Sequence, residues 1–271
     1  MRRTEIMREL VNRGYDVEET NVVKNGVTLK GIVFNNGSNV RPTLYVNEDD
    51  DRDLATIVDS MVETFERSKA PDFDTNELFS KQYIYDHLRV GFQRAEDIED
   101  VVKKSSDLDG IEEYLYCCVD SAPGNVASFK VKKSLLDHVG MTEDDAFHRA
   151  YENMHQETEI RSMAEIMAEM MGFMIPELTE SQGTQMYVLS NKSKYRGAAT
   201  WVDKESIKAF AERNNATKLL VLPSSIHEMI IVPVTDGMEN LDSFTAMAKE
   251  VNGTQVSPEE QLSDRAYFVE V

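Results

Sequence analysis

Two apolar runs, Lys218–Leu222 (KLLVL) and Met229–Val234 (MIIVPV), are separated only by Pro223–Glu228, and this spacing limits the fold more than any other feature of the 271-residue chain. Each run is long enough for a buried strand and far short of the roughly 18–20 residues that cross a bilayer. A parallel neighbour needs a crossover of about a dozen residues or more, so so short a connection points to antiparallel pairing. The flanking segments fit the same scheme. Met186–Leu189 and Gly197–Val202 (GAATWV) read as strands, followed by a helix capped by Asp203 and ended at Asn214-Asn215. Asp242–Val251 reads as a helix and Ala266–Val269 as a last short strand. The order β-β-α-β-β-α-β with short links implies an α+β fold in which antiparallel sheets carry helices packed on one side.

Toward the N-terminus, Ile6, Met7 and Leu10 recur at helical spacing until Gly14 stops them. Alternation at Val27–Val33 after Asn25-Gly26 predicts a strand, with Pro42–Val46 as its return partner in a hairpin. Asp53 then caps a helix that carries Leu54, Ile57, Val58, Met61, Val62 and Phe65 on one face. Gln82–Gln93 mixes both periodicities and is assigned to neither. Glu112–Asp120 and Ala127–Val131 read as strands across a turn at Pro123-Gly124-Asn125. A helix is predicted from Thr142 to Met154, where Thr142 and Asp145 have the spacing of a capping box. Glu159–Phe173 reads as a helix whose Met163, Ile166, Met167, Met170 and Met171 form a core-facing stripe, with a partner groove as the alternative. Turn-forming residues then suggest a linker at 175–183, dividing the chain into two lobes: an α+β region, 1–174, and a C-terminal sheet domain, 184–271.

A formal net charge of −20 disfavours direct binding of nucleic acid or an anionic membrane, since both draw on Lys and Arg to neutralise phosphates. It leaves room for a protein partner, basic if the charge matters. The acids are scattered, with Glu48–Asp51 the one short run, which reads as a solubilising surface. Cys117 and Cys118 are adjacent, a poor geometry for a mutual disulfide, and suit the reducing cytoplasm. Behind Arg2 and Arg3 no apolar stretch follows, so a secretory leader is not expected. The glycines match neither G-x-G-x-x-G nor G-x-x-x-x-G-K-[ST], and no cofactor is expected.

Chemistry is most plausible at Ser224, Ser225, His227 and Glu228, in the connection between the two apolar runs. These are the residue types of nucleophilic acyl transfer: a hydroxyl, an imidazole to take its proton, and a carboxylate to orient the ring. In an extended segment, however, Ser225 and His227 share one face while Glu228 points away. No G-x-S-x-G elbow accompanies them. They also suit a ligand- or peptide-binding loop, or a plain turn in which the serines cap backbone amides. His148, Glu152 and His155 recur at steps of four and three on one helix, which by itself falls short of a metal site. His87 and His138 stand alone.

The segments NGVTLKGIVF, SNVRPTLYVNE, MYVLSN, GAATWV, LLVLPSSIHEMIIVP and VNGTQVSPEEQLSDRAYF together resemble an uncharacterised family of Clostridia-type bacteria described only as a domain of unknown function. The resemblance runs from about Asn25 to Phe268 and is most specific at LPSSIHE and VSPEEQLSD. It implies bacterial origin, a cytosolic location and one recurrent architecture, and brings no activity or catalytic residues. The expectation is therefore a non-enzymatic binding or protein-interaction module. The alternatives are a small-substrate hydrolase using Ser225 and His227, and an acidic mimic of nucleic acid.

Overall fold

The computed structural model describes residues 2–67, 74–95, 100–119, 127–155, 157–172, 185–223, 225–234 and 241–271. They divide into two compact units, Met1–Leu78 and Phe79–Val271. The architecture is α+β, as expected, and among the described residues every strand pairing is antiparallel.

The first unit contains α1 (Arg2–Asn12), β1 (Val17–Lys24), β2 (Val27–Phe34), β3 (Thr43–Tyr45), α2 (Leu54–Arg67) and the short α3 (Thr75–Leu78). The Asn25-Gly26 turn has φ of 49° and 78°, the left-handed pair that a two-residue hairpin requires. It joins β2 to β1, a strand absent from the sequence reading. The reason is composition: VEETNVVK is mostly polar and lies largely in solvent, so it has no apolar face to reveal it. Lone β3 pairs with the other edge of β2. Ile6 and Leu10 of α1 and Ile57, Val58 and Met61 of α2 bury against Ile32 and Phe34. Phe34 stacks on Phe65 at 4.5 Å, and Asp53 Oδ1 accepts the Thr56 N–H at 3.0 Å to start α2.

The second unit opens with α4 (Lys81–His87) running directly into β4 (Leu88–Arg94), which explains the mixed signal of Gln82–Gln93. Next come β5 (Lys103–Ser105), β6 (Ile111–Val119), β7 (Ala127–Lys130), α5 (Lys133–Val139) and α6 (Glu143–His155). The sheet runs β4-β6-β5, and β7 pairs with β6 as well. Ile111, Leu115 and Cys117 of β6 pack with Ile84, Leu136, Ala146, Phe147, Ala150 and Met154. Tyr114, Tyr116 and Cys118 alternate onto the opposite face. Adjacent in a strand, Cys117 and Cys118 are carried to different faces, and neither forms a disulfide. The predicted turn at Pro123-Gly124-Asn125 lies outside the described residues.

The remaining elements are β8 (Thr158–Ser162), α7 (Met163–Met171), β9 (Tyr187–Asn191), a 3-10 helix (Gly197–Val202), α8 (Lys204–Arg213), β10 (Lys218–Leu222), β11 (Met229–Pro233), α9 (Leu241–Gln255), a 3-10 turn (Pro258–Glu260) and β12 (Tyr267–Glu270). Their five-stranded sheet has the order β12-β10-β11-β9-β8. Leu219 and Val221 pack with Ile207, Phe210 and Ala211 of α8, while Leu220, Leu222 and Val232 pack with Ala248 of α9. Both faces of β10 are thus covered, which is why Leu219–Leu222 is an unbroken apolar run.

Three expectations about this part change. Glu159–Phe173 is not one helix, because Thr158–Ser162 pairs with β9 and Ser162 caps α7 through the Ala164 N–H at 3.2 Å. The methionine stripe does not face the core: Met167, Met170 and Met171 are 48%, 82% and 61% exposed. Gly197–Val202 is a 3-10 helix, not a strand; its buried run gives no alternation by which the two could be told apart. The proposed linker 175–183 lies outside the described residues, and the strands on either side of it, β8 and β9, are paired. Among the described residues, no helix is long and apolar enough to cross a membrane.

Candidate functional site

The connection between β10 and β11 is fastened by two distant segments. The Ser263 N–H donates to the Pro223 carbonyl at 3.0 Å and the Ile226 N–H to the Glu260 carbonyl at 2.8 Å, with a β-bridge between Ser225 and Gln261. From the other side, the Ala198 N–H donates to the Ile226 carbonyl at 3.3 Å and Ser190 Oγ to the His227 carbonyl at 2.8 Å. Gly197 sits so close beneath that a Cβ there would lie 2.6 Å from Asn191 N and 2.7 Å from the His227 oxygen. Only a glycine lets these two backbones approach.

Within this frame Ser225 and His227 come together through the His227 backbone. Ser225 Oγ accepts the backbone N–H of His227 at 3.1 Å, an arrangement typical of a serine-stabilised turn. On the imidazole, Nδ1 accepts the backbone N–H of Arg196 at 3.3 Å, leaving the proton of a neutral ring on Nε2. Nε2 in turn lies 3.4 Å from Glu260 Oε1. The carboxylate beside the ring is therefore Glu260, while Glu228 is exposed. Ser224 lies outside the described residues. Sequence spacing could not bring in Ser190, Arg196 or Glu260, although Glu260 lies within VSPEEQLSD, one of the two segments that carry the family resemblance most specifically.

Arg196 is the unusual member of this group. Its backbone is left-handed, with φ of 52°, and its side chain lies among three tyrosines. The guanidinium carbon is 5.1 Å from the Tyr195 ring centre, 5.3 Å from Tyr116 and 5.6 Å from Tyr114, all within cation–π range. Tyr114 lies flat across Gly91, where a Cβ would come within 2.5 Å of its ring. Tyr195 hydroxyl is 3.1 Å from Ser128 Oγ. Among the described residues no carboxylate pairs with Arg196, and its buried Nε has no hydrogen-bond acceptor. Burial holds its pKa down at about 10. The residue as a whole is partly covered, while the Nε end of its guanidinium is buried.

The other sequence candidates go elsewhere. His148 Nε2 lies 3.4 Å from Glu152 on the exposed side of α6, whereas His155 Nδ1 lies 2.8 Å from Asp203 Oδ1. Among the described residues, no group of three or more His, Cys, Asp or Glu side chains is placed to hold a metal ion. An open polar cleft of about 680 Å³ is lined by Arg89, Arg149, Glu152, Asn153, Glu157 and Lys192, none of them in the Ser225–Glu228 connection. In it Arg89 is already paired with Glu157 at 2.6 Å.

No curated protein and no solved structure matches the chain. One family model does, over residues 3–270, and by that match the chain belongs to DUF5688, a family of unknown function.

Proposed function

We propose that this chain is a non-enzymatic binding module of the cytoplasm, and that Ser225, His227 and Glu228, with the neighbouring Arg196 loop, form the surface that meets its ligand or partner. The observation that supports this reading is that Ser225 Oγ and the two ring nitrogens of His227 each engage a group other than one another. Ser225 Oγ holds a backbone amide, and the two ring nitrogens of His227 face Arg196 N and Glu260 Oε1. A general base must reach the proton it abstracts, and here neither nitrogen is turned to the hydroxyl. A connection fastened on both sides and carrying polar groups at its tip suits presentation of a rigid surface.

The hydrolase alternative draws some support from Glu260, which occupies the orienting position that Glu228 could not. A fluorophosphonate probe separates the two. The binding reading expects no labelling of Ser225 in the native protein. Labelling that disappears in His227→Ala would replace it with the hydrolase. The acidic-mimic alternative draws less support, since surface carboxylates are interleaved with cations, as in Arg13–Glu9, Lys133–Glu143 and Lys194–Glu159.

A further inference from the structure

We infer that Arg196, walled by Tyr114, Tyr116 and Tyr195, is the receptor for one carboxylate group of a small ligand. This rests on the binding reading above and deepens it by naming the chemical class that the site takes. The argument begins with cost. Removing a cation from water is unfavourable unless an anion or several hydrogen-bond acceptors replace the lost hydration. Three tyrosine rings return part of it through their π faces. They do not satisfy Nε, which is buried without an acceptor. A buried polar atom left unpaired in this way marks a place where an absent partner belongs.

The missing partner is an oxyanion because a guanidinium presents a planar fork of N–H donors, matched by two oxygens on one centre. Charge selects the carboxylate over phosphate. One guanidinium neutralises one negative charge, whereas a phosphate dianion would leave an excess charge in a desolvated site on a chain already at −20. The aromatic walls favour a ligand whose body beyond the carboxylate is flat or apolar. The loop is held to its task by the Arg196 N–H to His227 Nδ1 bond, which links the cation to the Ser225–Glu228 connection.

The test is calorimetric titration of the intact protein with benzoate, acetate and inorganic phosphate at matched ionic strength and neutral pH. Benzoate is expected to bind most tightly, acetate next and phosphate least. Arg196→Gln should weaken benzoate at least about tenfold, and Arg196→Lys, which keeps the charge but not the fork, by several-fold. Should Arg196→Gln not fold, Tyr116→Leu serves instead, since it keeps the guanidinium and removes one wall; it should weaken benzoate more than acetate. Equal affinity in the Arg196 variants, phosphate binding more tightly than carboxylates, or no detectable carboxylate binding would each overturn the inference. None of these outcomes touches Ser225, so the fluorophosphonate result tests the binding reading separately.

Discussion

His155 Nδ1 lies 2.8 Å from Asp203 Oδ1, and that same oxygen accepts the backbone N–H of Ser206 at 3.2 Å. One carboxylate thus closes the C-terminal end of α6 against the N-terminal end of α8. The Asp203 hydrogen bond raises the pKa of His155, aided by the charge attraction between them. Burial pushes Asp203 up, but the hydrogen bonds it accepts from Ser206 and His155 outweigh burial and hold it below its ordinary value.

The signs of the two shifts define a window. A histidine raised in the folded state contributes stability that is complete below its ordinary value of 6.5 and is lost as pH rises through the raised value. A depressed aspartate contributes above its ordinary value of 3.8 and loses that contribution as pH falls through the lowered one. The pair therefore stabilises most between those two ordinary values. Thermal melting across pH is expected to show a decline above neutrality that His155→Gln removes. An unchanged alkaline limb in the variant would show that the ion pair contributes nothing.

Gly197 supports a prediction about backbone approach. In Gly197→Ala the new methyl would meet Asn191 N and the His227 oxygen, both backbone atoms that cannot rotate away. Separating β9 from the β10–β11 connection should cost about 1–3 kcal/mol, the usual penalty of overpacking a close contact. Chemical denaturation measures it. The variant should also loosen the Ser190–His227 and Arg196–His227 bonds, so carboxylate binding should weaken along with stability. A neutral substitution would mean that the two segments are not held together as described.

How much of this was legible beforehand depended on whether a residue's role is local. Asp53, Asp203 and Thr142 announce helix starts through bonds to residues three positions on, and each makes that bond. Strands β10 and β11 are apolar on both faces and could not be missed. Strand β1 is exposed and polar, and β8 (TEIRS) is short and lacks alternation; the capping pattern of Ser162 with Glu165 was the one cue that a helix begins only after it. At the site, Ser225, His227 and Glu228 were visible as a cluster. Their environment was not, because Ser190, Arg196 and Glu260 arrive from 37, 31 and 33 residues away. The tyrosine walls were hidden for the same reason, since alternation in β6 shows that Tyr114 and Tyr116 share a face but not what lies against it.

Thr142 provides a local test. Its Oγ1 accepts the Asp145 N–H at 3.1 Å while donating to Asp145 Oδ2 at 2.7 Å, which ties down the first turn of α6. Thr142→Ala should destabilise the chain by about 1 kcal/mol, and Thr142→Ser should restore nearly all of it, in denaturant unfolding. An alanine variant as stable as the parent would assign the start of α6 to tertiary packing alone.

Trp201 lets the interior report on itself. It is wholly buried, and its Nε1 donates to Asp107 Oδ1 at 2.9 Å. The other carboxylate oxygen accepts from Lys204 Nζ at 2.6 Å, and that ammonium lies 4.3 Å from the indole ring centre. Asp107→Leu removes the acceptor and leaves an indole N–H in the interior with nowhere to donate, a loss of about 1–3 kcal/mol. Asp107→Asn keeps a carbonyl oxygen for the indole while giving up the charge that Lys204 uses, and Lys204 is mostly exposed, so this variant should lose less. Because Trp201 is the sole tryptophan, its fluorescence reads both variants directly. The leucine variant should shift emission and lower the midpoint of unfolding, and the asparagine variant should lie between it and the parent. If the two variants lose equal stability, the contribution of Asp107 is its charge, and the indole hydrogen bond is incidental.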